Sequence, residues 1–140
     1  MDASVNEASQ AAALIEAFLE ASMKPDPVKA RTFMAADVRI TFTGGRRYDE
    51  PAQTTAFNAK RYNWVKKRFE RTDVAPGERP DEFIVYNTGT LYGEWPDGKP
   101  FEGNRYLDRY VLRDGKIIRM DVWNDSAEIL LAAAGLAEDR

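Results

Sequence analysis

The chain has 140 residues, a net charge of −3 and an acidic pI near 5.1, with neither cysteine nor histidine. An acidic surface attracts neither nucleic acid nor an anionic membrane, and the two missing side chains exclude disulfides, thiol nucleophiles, a Ser-His-Asp triad and the commonest metal ligand. Any chemistry therefore falls to carboxylates, tyrosines, lysines and arginines, and no metal or cofactor is expected.

No apolar run approaches the ~20 residues that span a bilayer, and the acidic N-terminus lacks a basic, apolar leader pattern. The expectation is one domain over 1–140, located in the cytoplasm. Residues Asn6 to Met23 place Ala11, Leu14, Ile15, Phe18 and Leu19 at helical spacing, with Glu16 and Glu20 opposite, and predict an amphipathic helix ending before Pro25. Pro27 opens a second, shorter helix through Val28 to Met34. Asp37 to Thr43 alternates as a strand and is broken by Gly44-Gly45. Asp49-Glu50-Pro51 supplies a cap and a first-turn proline for a helix running to about Phe69, one face of which holds Phe57, Arg61, Trp64 and Arg68. The basic run from Lys60 to Arg71 on that helix reads as a solvated face. Thr72 to Val74 is a short strand, 75–80 a loop, and Glu82 to Trp95 a long strand with Asn87, Gly89 and Gly93 as weak points. Pro96 to Pro100 turns the chain, and Asn124-Asp125-Ser126 caps a final helix, Asp125 and Glu128 having capping-box spacing.

The most informative stretch is 103–124, two runs of branched and aromatic residues flanking Asp114-Gly115, a strong hairpin signal. Side chains alternate, so Asn104, Tyr106, Asp108, Tyr110 and Leu112 share one face of the first strand. A two-residue turn pairs Arg113 with Lys116 and sets Asp108 against Asp121, which is unfavourable. A type I turn with Gly115 as a bulge pairs Leu112 with Lys116 and sets Asp108 against Met120, and this register is favoured. One face then joins Asp108 to Ile118, Met120, Val122 and Asn124; the other carries Arg105, Arg109, Arg119, Asp121, Ile117 and Trp123. Which of Asp108 and Asp121 faces a pocket depends on this register. The element order predicts an α+β domain: a cone-shaped, curved antiparallel sheet covered on its concave face by about three helices, with a short C-terminal helix. The mouth of such a cone is a natural small-ligand pocket.

Asp108-x-Tyr110 followed by Asp114-Gly115-Lys116-Ile117 resembles the closing hairpin of the nuclear transport factor 2-like, or SnoaL-like, superfamily. Trp95-Pro96-Asp97-Gly98, Asn104-Arg105-Tyr106 and Arg61-x-x-Trp64 with Phe69 resemble its PhzA/PhzB branch. The resemblance covers most of the chain and implies a homodimer through the outer sheet face, where Trp123 would lie. It matches Asp108 to the strand carboxylate of ketosteroid isomerases. It also sets Val122 where PhzA/PhzB proteins carry a glutamate and Arg61 where they carry a histidine, so phenazine chemistry is not implied. An offset of one residue would bring Asp121 to the glutamate position. Ile40-Thr41-Phe42-Thr43 offers no carboxylate for the isomerase base.

Three residues are the candidate catalytic set. Asp108, if lodged among Tyr106, Tyr110, Met120 and Val122, would have its charged form disfavoured by desolvation, suiting it to proton transfer; exposed, it would simply pair with Arg105 or Arg109. Arg61 would hold developing negative charge, and Tyr106 would donate a hydrogen bond. Tyr62, Trp64, Tyr110, Met120, Val122, Asn104, Asn124 and Thr41 are candidate ligand contacts, with Arg39 sharing the face of Thr41. The functional expectation is a cofactor-independent lyase, isomerase or cyclase using acid/base chemistry on a small apolar, oxygenated, aromatic molecule, including carbon-carbon cleavage of an aromatic diol. The alternative is a non-catalytic small-ligand-binding or dimerisation module, in which Asp108 is solvated or salt-bridged and no closed cavity exists.

Overall fold

A computed structural model describes residues 3–139, so the outer bounds of the expected domain lie outside them. In chain order the elements are α1 (Ala3–Met23), α2 (Pro27–Arg31), β1 (Met34–Thr41), a 3-10 turn (Thr43–Gly45), β2 (Arg47–Tyr48), α3 (Pro51–Arg61), β3 (Trp64–Pro76), β4 (Glu82–Glu94), β5 (Pro100–Arg113), β6 (Lys116–Asn124) and α4 (Ser126–Ala133). The six strands form one sheet in the order β2-β1-β6-β5-β4-β3. All neighbours are antiparallel except β1 and β6, which run parallel, so the sheet is mixed where an antiparallel one was expected.

The sheet curves because three of its ladders carry an extra residue. Glu70 is unpaired between Phe69 and Arg71 on β3, Gly103 between Glu102 and Asn104 on β5, and Ile118 between Ile117 and Arg119 on β6. Each such bulge bends its strand and increases local twist. Gly103 takes a positive φ of 84°, which glycine adopts without a Cβ penalty. The concave face packs Val85, Tyr110, Leu112, Ile117, Met120 and Val122 against Ile15, Phe18 and Leu19 of α1. Phe18 meets the rings of Phe33 and Tyr110 edge-on, at 6.3 and 5.7 Å.

The hairpin opens with the two-residue turn, the less favoured of the two expected readings, but does not keep that register as far as Asp108. Asp114 and Gly115 both have positive φ, 51° and 71°, which makes a two-residue turn with Arg113 opposite Lys116. The Ile118 bulge then shifts the ladder by one, setting Asp108 against Val122 and Asp121 against Arg109. The Asp-Asp opposition is avoided by a bulge three residues into the strand rather than in the turn. The shift also exchanges two residues: Ile117, expected outside, is fully buried, and Ile118, expected inside, is half-buried.

Two helix expectations are corrected. The second helix stops at Arg31, because Met34 begins the strand that pairs with β6. The helix expected to reach Phe69 ends at Arg61. Tyr62 turns extended (φ −134°, ψ 149°), Asn63 N–H donates to Glu94 C=O at 2.9 Å, and Trp64 begins β3. From there β4 supplies a partner along β3 as far as Pro76, absorbing the short strand expected at Thr72 to Val74. The periodicity of Phe57, Arg61, Trp64 and Arg68 is thus coincidental, and local helix preference yields to the pairing. At the other terminus, Asp125 ion-pairs with Arg105 and makes no capping hydrogen bond, so the expected capping box is absent; Asn124 Oδ1 instead accepts from Ser126 N–H at 3.1 Å.

Candidate active site

The helices and the concave sheet enclose a cavity of about 490 Å³. Phe18, Leu19 and Met23 of α1 form one side, Thr54, Asn58 and Ala59 of α3 another, and Leu91, Met120 and Val122 the sheet wall. Among these mostly apolar groups stand Lys67 and Asp108.

Asp108 projects inward from the middle of β5 because the pleat puts it on the face of Tyr106 and Tyr110. Its side chain is fully buried. Oδ2 accepts from Lys67 Nζ in a short ion pair and from the Tyr110 hydroxyl at 3.1 Å, whereas Oδ1 is buried without any partner. The expectation of an acid standing alone among apolar groups is corrected, since a cation compensates it. Lys67 is itself mostly buried, its side chain 17% exposed, and its ammonium lies 4.4 Å from the centre of the Tyr106 ring. Carboxylate and ring face both favour the cation. The backbone of Lys67 is fixed at the sheet edge, where its N–H donates to the sulfur of Met23 at 3.1 Å.

Tyr106 supplies its ring to the site, and its hydroxyl bonds to Asn87 rather than to Asp108. That hydroxyl donates to Asn87 Oδ1 at 2.6 Å; Asn87 Nδ2 donates to Thr72 Oγ1 at 2.9 Å, which reaches Glu16 Oε2 at 3.3 Å. Burial, then the negative charges of Asp108 and Glu70, push the Tyr106 phenol far above its ordinary value. Burial and then Asp108 do the same for Tyr110.

The remaining candidates divide. Met120, Val122, Tyr62 and Asn124 line the cavity. Trp64 borders it at the rim, with its ring edge-on to Tyr92 at 5.8 Å and the residue 45% exposed. Tyr110 lies behind Asp108 in the core and does not line the cavity. Asn104 is likewise displaced, its amide donating to Ser126 Oγ at 3.0 Å; the Tyr62 hydroxyl donates to the same oxygen at 2.7 Å. Burial raises the Tyr62 phenol, against smaller lowering by Ser126 and Arg61. Thr41 and Arg39 fall on the outward side of β1, because Val38 and Ile40 take the buried positions. Arg61 is also outside the lining: its guanidinium lies over the Phe57 ring at 4.9 Å, with Nη1 buried and unpartnered. Asp121 is buried beneath Arg109 and Arg119 away from the cavity, at 3.5 and 3.0 Å, so the register question resolves for Asp108.

Lys67 is the residue that sequence reasoning missed. Its signal was the alternation Val65, Lys67, Phe69 just after Asn63, masked by the helical reading of the same stretch. Among the described residues no group of three or more Asp and Glu side chains converges to hold a metal ion, and no helix is long and apolar enough to cross a membrane.

A curved sheet wrapped around helices, with a ligand-sized cavity between them, is the architecture of the nuclear transport factor 2-like fold. The chain has that fold. A structure of an NTF2-like protein of unknown function from Burkholderia pseudomallei superposes with a TM-score of 0.69 at 14% identity, over 86% of this chain and 95% of that one. A putative SnoaL-like polyketide cyclase from Jannaschia gives 0.68 at 17% identity, over 94% of each chain. TerC, co-crystallised with polyporic acid, gives 0.66 at 18% identity, over 86% and 95%. The likeness carries no preference for the PhzA/PhzB branch. No family model and no curated protein matches the chain.

Proposed function

We propose that this protein is a cofactor-independent enzyme performing acid/base chemistry, of lyase, isomerase or cyclase type, on a small, largely apolar and oxygenated aromatic molecule. The observation that carries this reading is the Lys67–Asp108 pair, buried in the wall of a mostly apolar cavity large enough for such a ligand. Asp108 accepts a proton from a ligand C–OH or activated C–H, and the Lys67 ammonium holds the negative charge left on the ligand oxygen. The proton then returns from Asp108 to a different ligand atom, or departs with a leaving group. Lys67 thereby takes the role that the sequence assigned to Arg61, and the ring of Tyr106 supports it. Structural likeness to a putative polyketide cyclase and to a protein co-crystallised with polyporic acid supports a small oxygenated substrate. Carbon-carbon cleavage of an aromatic diol fits the same groups, with Asp108 taking the hydroxyl proton.

The test is turnover of a panel of aromatic diols, ketones and epoxides by the wild-type chain and by Asp108→Asn. Loss of turnover by about 10²-fold or more in the variant supports the reading; an unchanged rate refutes it. The second reading, a non-catalytic binding module, has the salt bridge of Asp108 in its favour and the cavity, which it did not expect, against it. It predicts binding without turnover. In either case the outer sheet face, with Trp123 53% and Leu107 37% exposed, is proposed as the homodimer surface. Trp123→Glu should then give a monomer in sedimentation, and a wild-type monomer would refute the assignment.

A further inference from the structure

We propose that the cavity selects neutral ligands bearing one weakly acidic hydroxyl, phenolic or enolic, and rejects carboxylates of the same size, because buried Asp108 Oδ1 lacks a donor and Lys67 already balances the carboxylate. The inference rests on the site proposed above but not on turnover.

A buried carboxylate oxygen without a donor is an unmet demand that a ligand can fill. Neither nearby tyrosine fills it: the Tyr110 hydroxyl is engaged at Oδ2, and the Tyr106 hydroxyl at Asn87. Backbone amides of β5 are occupied by the ladders with β4 and β6. A hydroxyl brings the missing donor. An ionised carboxylate brings only acceptors, and would face Asp108 as a like charge.

Charge leads to the same conclusion. Lys67 and Asp108 cancel, so a neutral ligand leaves the cavity neutral, whereas an anion leaves one uncompensated charge among apolar side chains, which is costly. Lys24 and Lys66 also border the cavity, but both are exposed, where solvent and salt screen them. They draw anions to the mouth without serving the interior.

The third element is mobility. Lys67 reaches Oδ2 on a flexible four-carbon stem that is partly exposed, so its ammonium can move from Asp108 to a ligand oxygen without backbone rearrangement. The exchange balances. The ligand O–H breaks, its proton bonds to Oδ1, and the oxyanion pairs with the ammonium; the proton returns on release.

Three small para-substituted benzonitriles test this by calorimetric titration at neutral pH: 4-cyanophenol, the isosteric 4-methylbenzonitrile and the anionic 4-cyanobenzoate. The phenol should bind about tenfold or more tighter than either of the others. Asp108→Asn should erase its advantage over the methyl compound. The wild-type ranking decides the matter even if a variant does not fold. A carboxylate binding as tightly as the phenol, a phenol binding no tighter than the methyl compound, or no binding by any probe would overturn the proposal. The expected ranking without turnover of any compound leaves hydroxyl selectivity standing and removes the enzyme reading; turnover with the wrong ranking does the reverse.

Discussion

Replacing Lys67 with methionine is the most direct probe of the buried pair. Methionine keeps the apolar stem and removes the charge, stranding a fully buried carboxylate that retains only the Tyr110 hydroxyl as donor. Removing one partner of a buried pair costs about 3–5 kcal/mol, and the partial exposure of Lys67 brings the expectation down to about 2–4 kcal/mol. The opposite change, Asp108→Asn, leaves a cation whose flexible stem can swing its head into water, and an amide oxygen that still accepts from Tyr110. Its cost should be about 0.5–1.5 kcal/mol. The double variant should recover at least about 1 kcal/mol relative to Lys67→Met alone, because nothing charged remains buried. Urea unfolding followed by tryptophan fluorescence measures all four species, and in a thermal melt each kcal/mol corresponds to about 4 °C for a chain of this size. If Asp108→Asn proves more costly than Lys67→Met, or if the two losses simply add, the account of a carboxylate dependent on one lysine is wrong.

Three further outcomes follow from the same geometry. Ser126→Ala strands the Tyr62 hydroxyl and the Asn104 amide, both buried, and should cost about 2–3 kcal/mol by denaturant unfolding; a cost below 0.5 would show that water replaces the lost acceptor. Gly89→Ala sets a Cβ 2.0 Å from the carbonyl oxygen of Arg68, so β3 must shift beside Lys67; destabilisation by about 2–3 kcal/mol or more is expected, with weakened 4-cyanophenol binding, and near-neutral stability would refute the close approach. Stability should also fall in alkali. Tyr62, Tyr106 and Tyr110 each have a folded-state pKa above the ordinary value of 10.0, so the folded chain holds protons that the unfolded chain releases, and the contribution present below pH 10 is lost as pH rises. At pH 11 the loss is at most about 1.4 kcal/mol per tyrosine. Absorbance titration of phenolate should show these three ionising together with unfolding, and gradual ionisation in the folded protein would contradict their burial.

The inward face of the central hairpin was legible because alternation is a two-residue period that survives a shift of register. Asp108, Tyr106, Tyr110, Met120 and Val122 kept their face although neither partner expected for Asp108 was the one it has. What moved the pairing was the bulge at Ile118, and nothing in a run of branched residues marks which one will be left unpaired. The cationic half of the site was illegible for another reason. Residues 57–69 satisfy a helical period as well as a strand period, and the arbiter is β4, which pairs with β3 only after a reversal around residues 77–81. Arg61 was the natural cation while that stretch read as a helix; once it is extended beyond Tyr62, Lys67 becomes the residue that meets Asp108. Asn104 and Asn124 were read as ligand contacts or as groups satisfying backbone, and Asn124 does both kinds of work, lining the cavity while capping α4.

The parallel contact between β1 and β6 has a consequence for biogenesis. When β1 leaves the ribosome its only available sheet neighbour is the two-residue β2, and the strand beside which it finally lies is synthesised only after β3, β4 and β5. The wall of the chamber that carries Met120 and Val122 is therefore missing until β6 emerges, and Ile15, Phe18 and Leu19 lack that cover for the interval. Nascent chains paused before Lys116 should accordingly recruit holdase chaperones, and those extended past Asn124 should release them.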